Sequence, residues 1–105
     1  NQQAGFVPYL GVLKRHKPDP FLMTHAVDGY SLAMDFAVSA RKSRREQLWA
    51  HCRDMAEVVL AAGGRFYYAK DAVLQASSFP RVHGDAAVQQ FRALKAKWDP
   101  DRLLQ

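Results

Sequence analysis

Gly29-Tyr30-Ser31-Leu32-Ala33-Met34-Asp35-Phe36-Ala37-Val38 is the stretch that decides the fold. Its apolar residues recur every second position: Leu32, Met34, Phe36 and Val38 share one side, and Ser31, Ala33, Asp35 and Ala37 share the other. Successive side chains of an extended chain point to opposite faces, so this period marks a strand with a buried apolar face and an open, more polar one. A helix would place Leu32 and Met34 about 200° apart, and the pattern would be lost.

Working outward, the preceding apolar segment from Phe6 to Leu13 reads as a second strand, with Pro8 suited to an edge. Lys14-Arg15-His16-Lys17 and Pro18-Asp19-Pro20 then read as a loop, Phe21 to Met23 as a short strand and Asp28-Gly29 as a turn. Downstream, Ser43 and Glu46 form a Ser-x-x-Glu capping pattern. Leu48, Cys52, Met55, Ala56, Val59 and Leu60 follow at helical spacing, and Gly63-Gly64 is the stop. Arg65 to Tyr68 reads as a short aromatic strand, Asp71 to Pro80 as a helical turn followed by loop, and Gly84-Asp85 as the opening of a last helix that runs to Trp98. The expected architecture is a single α+β domain over residues 1–105: a mostly antiparallel sheet with helices packed on one face, as in a fragment of a ferredoxin-like sandwich.

Composition narrows the function. The chain is 49% hydrophobic with a net charge of +5, which excludes a disordered tail. The charge suits an anionic partner, or simply a solvated basic face. Asn1-Gln2-Gln3 precede no apolar run of the signal-peptide kind, so a cytoplasmic location is expected, with association to a membrane surface through the basic clusters. His16, His25, His51 and His83 are scattered and Cys52 is single, so no metal site is expected. The chain lacks a Walker loop, a Gly-x-Gly-x-x-Gly fingerprint and a Gly-x-Ser-x-Gly elbow. Arg65-Phe66-Tyr67-Tyr68 sets aromatics beside a cation without the spacing of an RNA-binding motif, so no specific nucleic-acid partner is expected.

Gly63-Gly64-Arg65-Phe66-Tyr67-Tyr68-Ala69-Lys70-Asp71 resembles the C-terminal segment of flavoenzymes of the vanillyl-alcohol-oxidase type, in the decaprenylphosphoryl-ribose oxidase branch. Gly11-Val12-Leu13-Lys14-Arg15, Gly29 to Phe36 and Asp99-Pro100-Asp101-Arg102-Leu103-Leu104 resemble three further segments of that branch in the same order. The resemblance implies the C-terminal, substrate-side portion of an FAD-linked oxidoreductase acting on an alcohol carbon of a sugar-like or polyol substrate. FAD would be held mainly by another domain of the same polypeptide, and this portion alone would be inactive.

The resemblance also implies residue roles. Lys70 would lie beside the flavin as the catalytic and cofactor-binding residue. Tyr67, Tyr30, Ser31, Ala33 and Asp35 would contact substrate. Ala33 stands where the branch has cysteine and Tyr30 where it has tryptophan, which opens the substrate identity. Aldonolactone and alditol oxidases are the alternative within the class, with His-Trp-Gly-Lys where this chain has Tyr67-Tyr68-Ala69-Lys70. A stand-alone basic α+β module for RNA or another anion is the alternative outside it.

Overall fold

The computed structural model describes residues 2–69 and 73–104. An antiparallel pair of strands, β1 (Leu10–His16) and β2 (Gly29–Asp35), is followed by α1 (Lys42–Ala61), a 3-10 turn (Ala76–Ser78), α2 (Phe79–His83) and α3 (Asp85–Trp98). This is the α+β class with antiparallel pairing that the alternation predicts.

The ladder runs from Leu10 opposite Asp35 to His16 opposite Gly29. β1 therefore starts and ends later than the apolar run suggests, and Lys14, Arg15 and His16 belong to the strand rather than to a loop. Proline at position 8 has no N–H for a ladder. At the other end, Arg15 is anchored: its guanidinium donates to the Gly29 carbonyl at 3.0 Å and pairs with Asp28. The loop over 17–28 is held by side chains. Asp19 accepts from the Phe21 N–H (3.0 Å) and the Thr24 hydroxyl (2.7 Å), and Thr24 Oγ1 accepts from the Ala26 N–H (2.9 Å). These bonds turn residues 21–23 away from the strand expected there.

α1 begins at Lys42 with Arg41 as its N-cap residue, and no side chain caps it. The expected Ser43–Glu46 box does not form. The Ser39 hydroxyl accepts the Arg41 N–H at 3.1 Å, which sets the turn upstream, and Glu46 pairs with Lys42 at 3.8 Å. The C-terminus follows the glycine expectation. Gly63 has φ +75°, its N–H reaches the Leu60 carbonyl at 3.0 Å, and the Gly64 N–H reaches Val59 at 2.8 Å, the paired bonds of a Schellman motif. A Cβ on Gly63 would meet nothing within 4 Å, whereas one on Gly64 would lie 2.4 Å from Val59 Cγ1 and 2.9 Å from its carbonyl oxygen. Gly63→Ala should cost about 1 kcal/mol through its left-handed backbone. Gly64→Ala should cost more, on the order of 2–3 kcal/mol, because backbone must move. Urea denaturation of the two variants checks this ordering.

Arg65 to Tyr68 is not a strand. Its side chains are drawn to different neighbours. Arg65 donates to the Thr24 carbonyl (3.1 Å), Tyr67 packs on His25, and Tyr68 packs on Phe79 and His83. An extended segment anchored in this way cannot lie along β2. The stretch before Pro80, expected as a helical turn followed by loop, has the reverse order over residues 73–80: irregular chain comes first, the 3-10 turn next, and α2 follows with Pro80 in its first turn, where a missing N–H has no cost; Asp71 and Ala72 lie outside the described residues. Gly84, at φ +82°, separates α2 from α3, and α3 has the expected bounds. Asp99 closes it: the carboxylate accepts from Lys95 Nζ (2.7 Å) and from the N–H groups of Leu103 (2.8 Å) and Leu104 (3.0 Å). The Lys95 ammonium, then these two N–H groups, hold the carboxyl below its usual range.

The core is thin. Among the described residues Leu48, Ala56, Val82 and Val88 are its buried apolar members. Leu32, expected inside, is 57% exposed, and its cross-strand partner Leu13 is 64% exposed. Met34 and Phe36 are half-buried and Val38 is exposed. The radius of gyration is 16.0 Å, against about 13 Å for a compact chain of this length. The apolar face of the hairpin exists as the alternation specifies, but these residues do not cover it.

Candidate functional site

Pairing register decides which residues meet. Directly opposed residues of an antiparallel pair share a face. Ser31, Ala33 and Asp35 therefore stand with Lys14, Val12 and Leu10, and His16 and Gly29 complete the row. Tyr30 lies on the other face, where the Arg15 guanidinium sits 5.5 Å from its ring centroid. The structure thus separates Tyr30 from the three other β2 residues expected to face substrate.

A polar and aromatic cluster occupies one end of the Ser31 face. His16 Nε2 and Ser31 Oγ are 2.7 Å apart in a partly buried hydrogen bond. The His25 ring meets His16 edge-on, with centroids 5.3 Å apart, and Tyr67 tilts against His25 at 4.9 Å. Ser31 and Tyr67, thirty-six positions apart, are thereby joined through two histidines. Asp35 lies at the far end of β2, about 13 Å along the strand from Ser31. It is exposed, and its carbonyl accepts the Tyr9 N–H at 3.0 Å. Ala33 is exposed between them. Lys70 lies outside the described residues.

His16 and His25 were not singled out by the sequence, because no fixed spacing joins positions nine apart. The usable signal was the register itself: once Ser31 is paired with Lys14, His16 falls two residues along the same face. The donor set can accept or relay a proton between hydroxyl and imidazole and can orient a hydroxylated ligand. Among the described residues no group of three His, Cys, Asp or Glu side chains converges on a metal-sized space.

Two other features lie apart from this cluster. A cavity of about 360 Å³ is lined by Phe6, Phe36, Val38, Arg44 and Leu48 among others. Arg44 is committed there: its guanidinium donates to the Gly5 carbonyl at 2.6 Å and covers the Phe6 ring at 4.0 Å. The second feature is an aromatic group of Tyr68, Phe79 and His83, with centroids 5.3–5.6 Å apart. Both ring nitrogens of His83 are buried, and neither has a hydrogen-bond partner among the described residues.

Burial, with the Arg65 charge second, lowers the pKa of His83 from its ordinary 6.5. The unfolded chain therefore binds a proton that the folded chain resists. The contribution of neutral His83 is full above about pH 6.5 and is lost as pH falls through the folded value. His83→Phe, an apolar replacement in an aromatic group, should flatten the loss of stability between pH 7.5 and 5.5. Urea denaturation of both proteins at the two pH values isolates His83 from the other histidines, and equal slopes would remove it as the cause.

No helix among the described residues is long and apolar enough to cross a membrane. No family model, no curated protein and no solved structure matches the chain.

Proposed function

We propose that this chain is the substrate-side portion of an FAD-linked oxidoreductase that oxidises an alcohol carbon of a sugar-like or polyol substrate. The observation that carries the reading is the junction of Ser31 and Tyr67, both assigned to substrate by the motif resemblance, with His16 and His25 in one cluster. The thin core and the exposed Leu13–Leu32 pair give further support, since a substrate portion would complete its packing against a flavin-binding domain of the same polypeptide. Aldonolactone or alditol oxidation is the variant within this reading. The location would be cytoplasmic, at a membrane surface where the basic face meets anionic lipid.

The residues fit one part of such a cofactor. The sequence has neither of the glycine-rich motifs that cradle the phosphates of a dinucleotide, whereas the Ser31 face carries a hydroxyl, an imidazole and the Lys14 ammonium, groups suited to the polar edge of a flavin and to substrate hydroxyls. When bound, the flavin would supply the redox chemistry. The chain's own residues would hold and orient the hydroxyl: Ser31 as donor and acceptor, Tyr67 as a wall, and Lys70 as a positive charge.

A second reading, a basic module for an anion, keeps one observation: Lys42, Arg44 and Arg45 crowd the uncapped first turn of α1, which has no acidic residue. Binding of that kind would weaken steeply with salt. The absorbance spectrum of the polypeptide that carries this chain decides between them. A flavin spectrum bleached anaerobically by a polyol or sugar-like alcohol is expected, and a purified polypeptide without flavin that takes up no added FAD overturns the oxidoreductase reading.

A further inference from the structure

We infer that His16, acting through Ser31, is the proton acceptor for the substrate hydroxyl; this rests on the oxidoreductase reading. Oxidation of an alcohol carbon breaks two bonds to hydrogen. The C–H hydrogen leaves with its electron pair to the flavin, which is reduced by two electrons. The O–H proton must go to a base as the C=O double bond forms, because a carbonyl oxygen cannot retain it. No motif in the sequence assigns that base.

The hydrogen bond between His16 Nε2 and Ser31 Oγ, at 2.7 Å, supplies a route. With Nε2 unprotonated, the Ser31 hydroxyl donates to it. As substrate passes its proton to Ser31 Oγ, the Ser31 proton moves to His16 Nε2. The products are a carbonyl compound, anionic reduced flavin and one imidazolium, so atoms and charge balance. Ser31 touches substrate, and His16 is the positioning residue behind it.

Three surroundings favour this pair over a chance contact. The bond joins the two strands on the face that carries Ala33 and Asp35, so its open side is the proposed substrate side. Its partners are partly buried, which shields the bond from water. The His16 backbone belongs to the β1–β2 ladder, paired with Gly29.

The charged and titratable groups around His16 among the described residues come from each neighbouring element. Lys14, Arg15 and Lys17 come from β1 and the residues just after it. Asp28, paired with Arg15, comes from the end of the loop, and Asp19, tied to Thr24, from its start. His25 comes edge-on from the loop and Tyr67, beyond it, from the segment after α1. None of these carboxylates is bonded to the His16 ring, and among the described residues Ser31 is its hydrogen-bond partner.

The experiment uses the flavin-loaded polypeptide and stopped-flow reduction by a polyol across pH 5 to 9. In the wild type the reduction rate should be higher at the alkaline end of this span than at the acid end, because only a neutral imidazole can take the proton. His16→Gln keeps a hydrogen-bonding side chain but cannot take the proton; it should lower the rate about a hundredfold and remove that rise. Ser31→Ala should do the same, and the double variant should be no slower than either single one, because the two residues act as a unit. A readout independent of turnover is histidine-ring NMR, in which Ser31→Ala should move the His16 Nε2 resonance and leave those of His51 and His83 in place. A His16→Gln enzyme with the wild-type pH profile, or a His16 resonance indifferent to Ser31→Ala, overturns this inference alone. A wild-type polypeptide that takes up no flavin overturns it together with the oxidoreductase reading.

Discussion

On the FAD-linked reading proposed above, Lys70→Ala should slow reduction of the flavin by substrate about a hundredfold in the flavin-loaded polypeptide, with little change in melting temperature. The expectation rests on the motif match of Gly63 to Asp71 and on chemistry. A reduced flavin accumulates negative charge at its pyrimidine edge. An ammonium held there favours the transition state over the ground state, and losing it raises the barrier by on the order of 3 kcal/mol. Lys70 follows Tyr67 by three positions in the sequence, and Tyr67 stands in the His16–His25–Ser31 cluster. A lysine that follows an aromatic segment contributes little packing, so folding should change by less than about 1 kcal/mol. Lys70→Arg should restore only part of the rate, because a planar guanidinium does not reproduce a compact point charge. Stopped-flow reduction with melting temperatures in parallel makes the measurement, and normal reduction in Lys70→Ala would leave it a surface lysine.

The elements that the sequence made legible are those specified by local chemistry. β2 follows from period-two alternation over seven residues, α1 ends where Gly63 adopts the left-handed backbone, and α3 opens after Gly84. The misread elements depend on distant partners. Arg65 to Tyr68 has strand composition, yet Thr24, His25, Phe79 and His83 each hold one of its side chains, and none of these was visible from spacing. Ser43 has the composition of a cap, but Ser39 sets the turn first. Alternation identified the two faces of β2 correctly without saying what covers them, which is why Leu32 was expected inside and lies exposed. The site was half legible for the same reason. Ser31 and Tyr67 came from motif resemblance, while His16 and His25 enter through register and through the fold of a loop held by Asp19 and Thr24.

Leu48→Ala should be the most destabilising single truncation in the chain, at about 3 kcal/mol. Leu48 is 1% exposed and is the largest fully buried side chain among the described residues. It lines the cavity where the N-terminal segment (Phe6, Val7), the residues after β2 (Phe36, Val38) and α1 meet, so its removal loosens three elements at once. Buried leucine truncations cost about 2–5 kcal/mol, the transfer of the lost methyl groups plus the void left behind. The void here would merge with an existing cavity of about 360 Å³ that is open to solvent, and water can enter it, which favours the lower half of that range. Against a total stability of about 5–10 kcal/mol for a domain of this size, the loss is a large fraction. Leu32→Ala is the matched control. Leu32 is 57% exposed on the hairpin, so the same deletion there should cost less than about 0.5 kcal/mol in this chain. Urea denaturation of the two variants at several protein concentrations makes the comparison. Equal losses would mean that Leu32 is buried in solution and that the hairpin face is already covered. The predicted gap between them would mean that this face is open in the chain alone, as a portion completed by a flavin-binding domain requires.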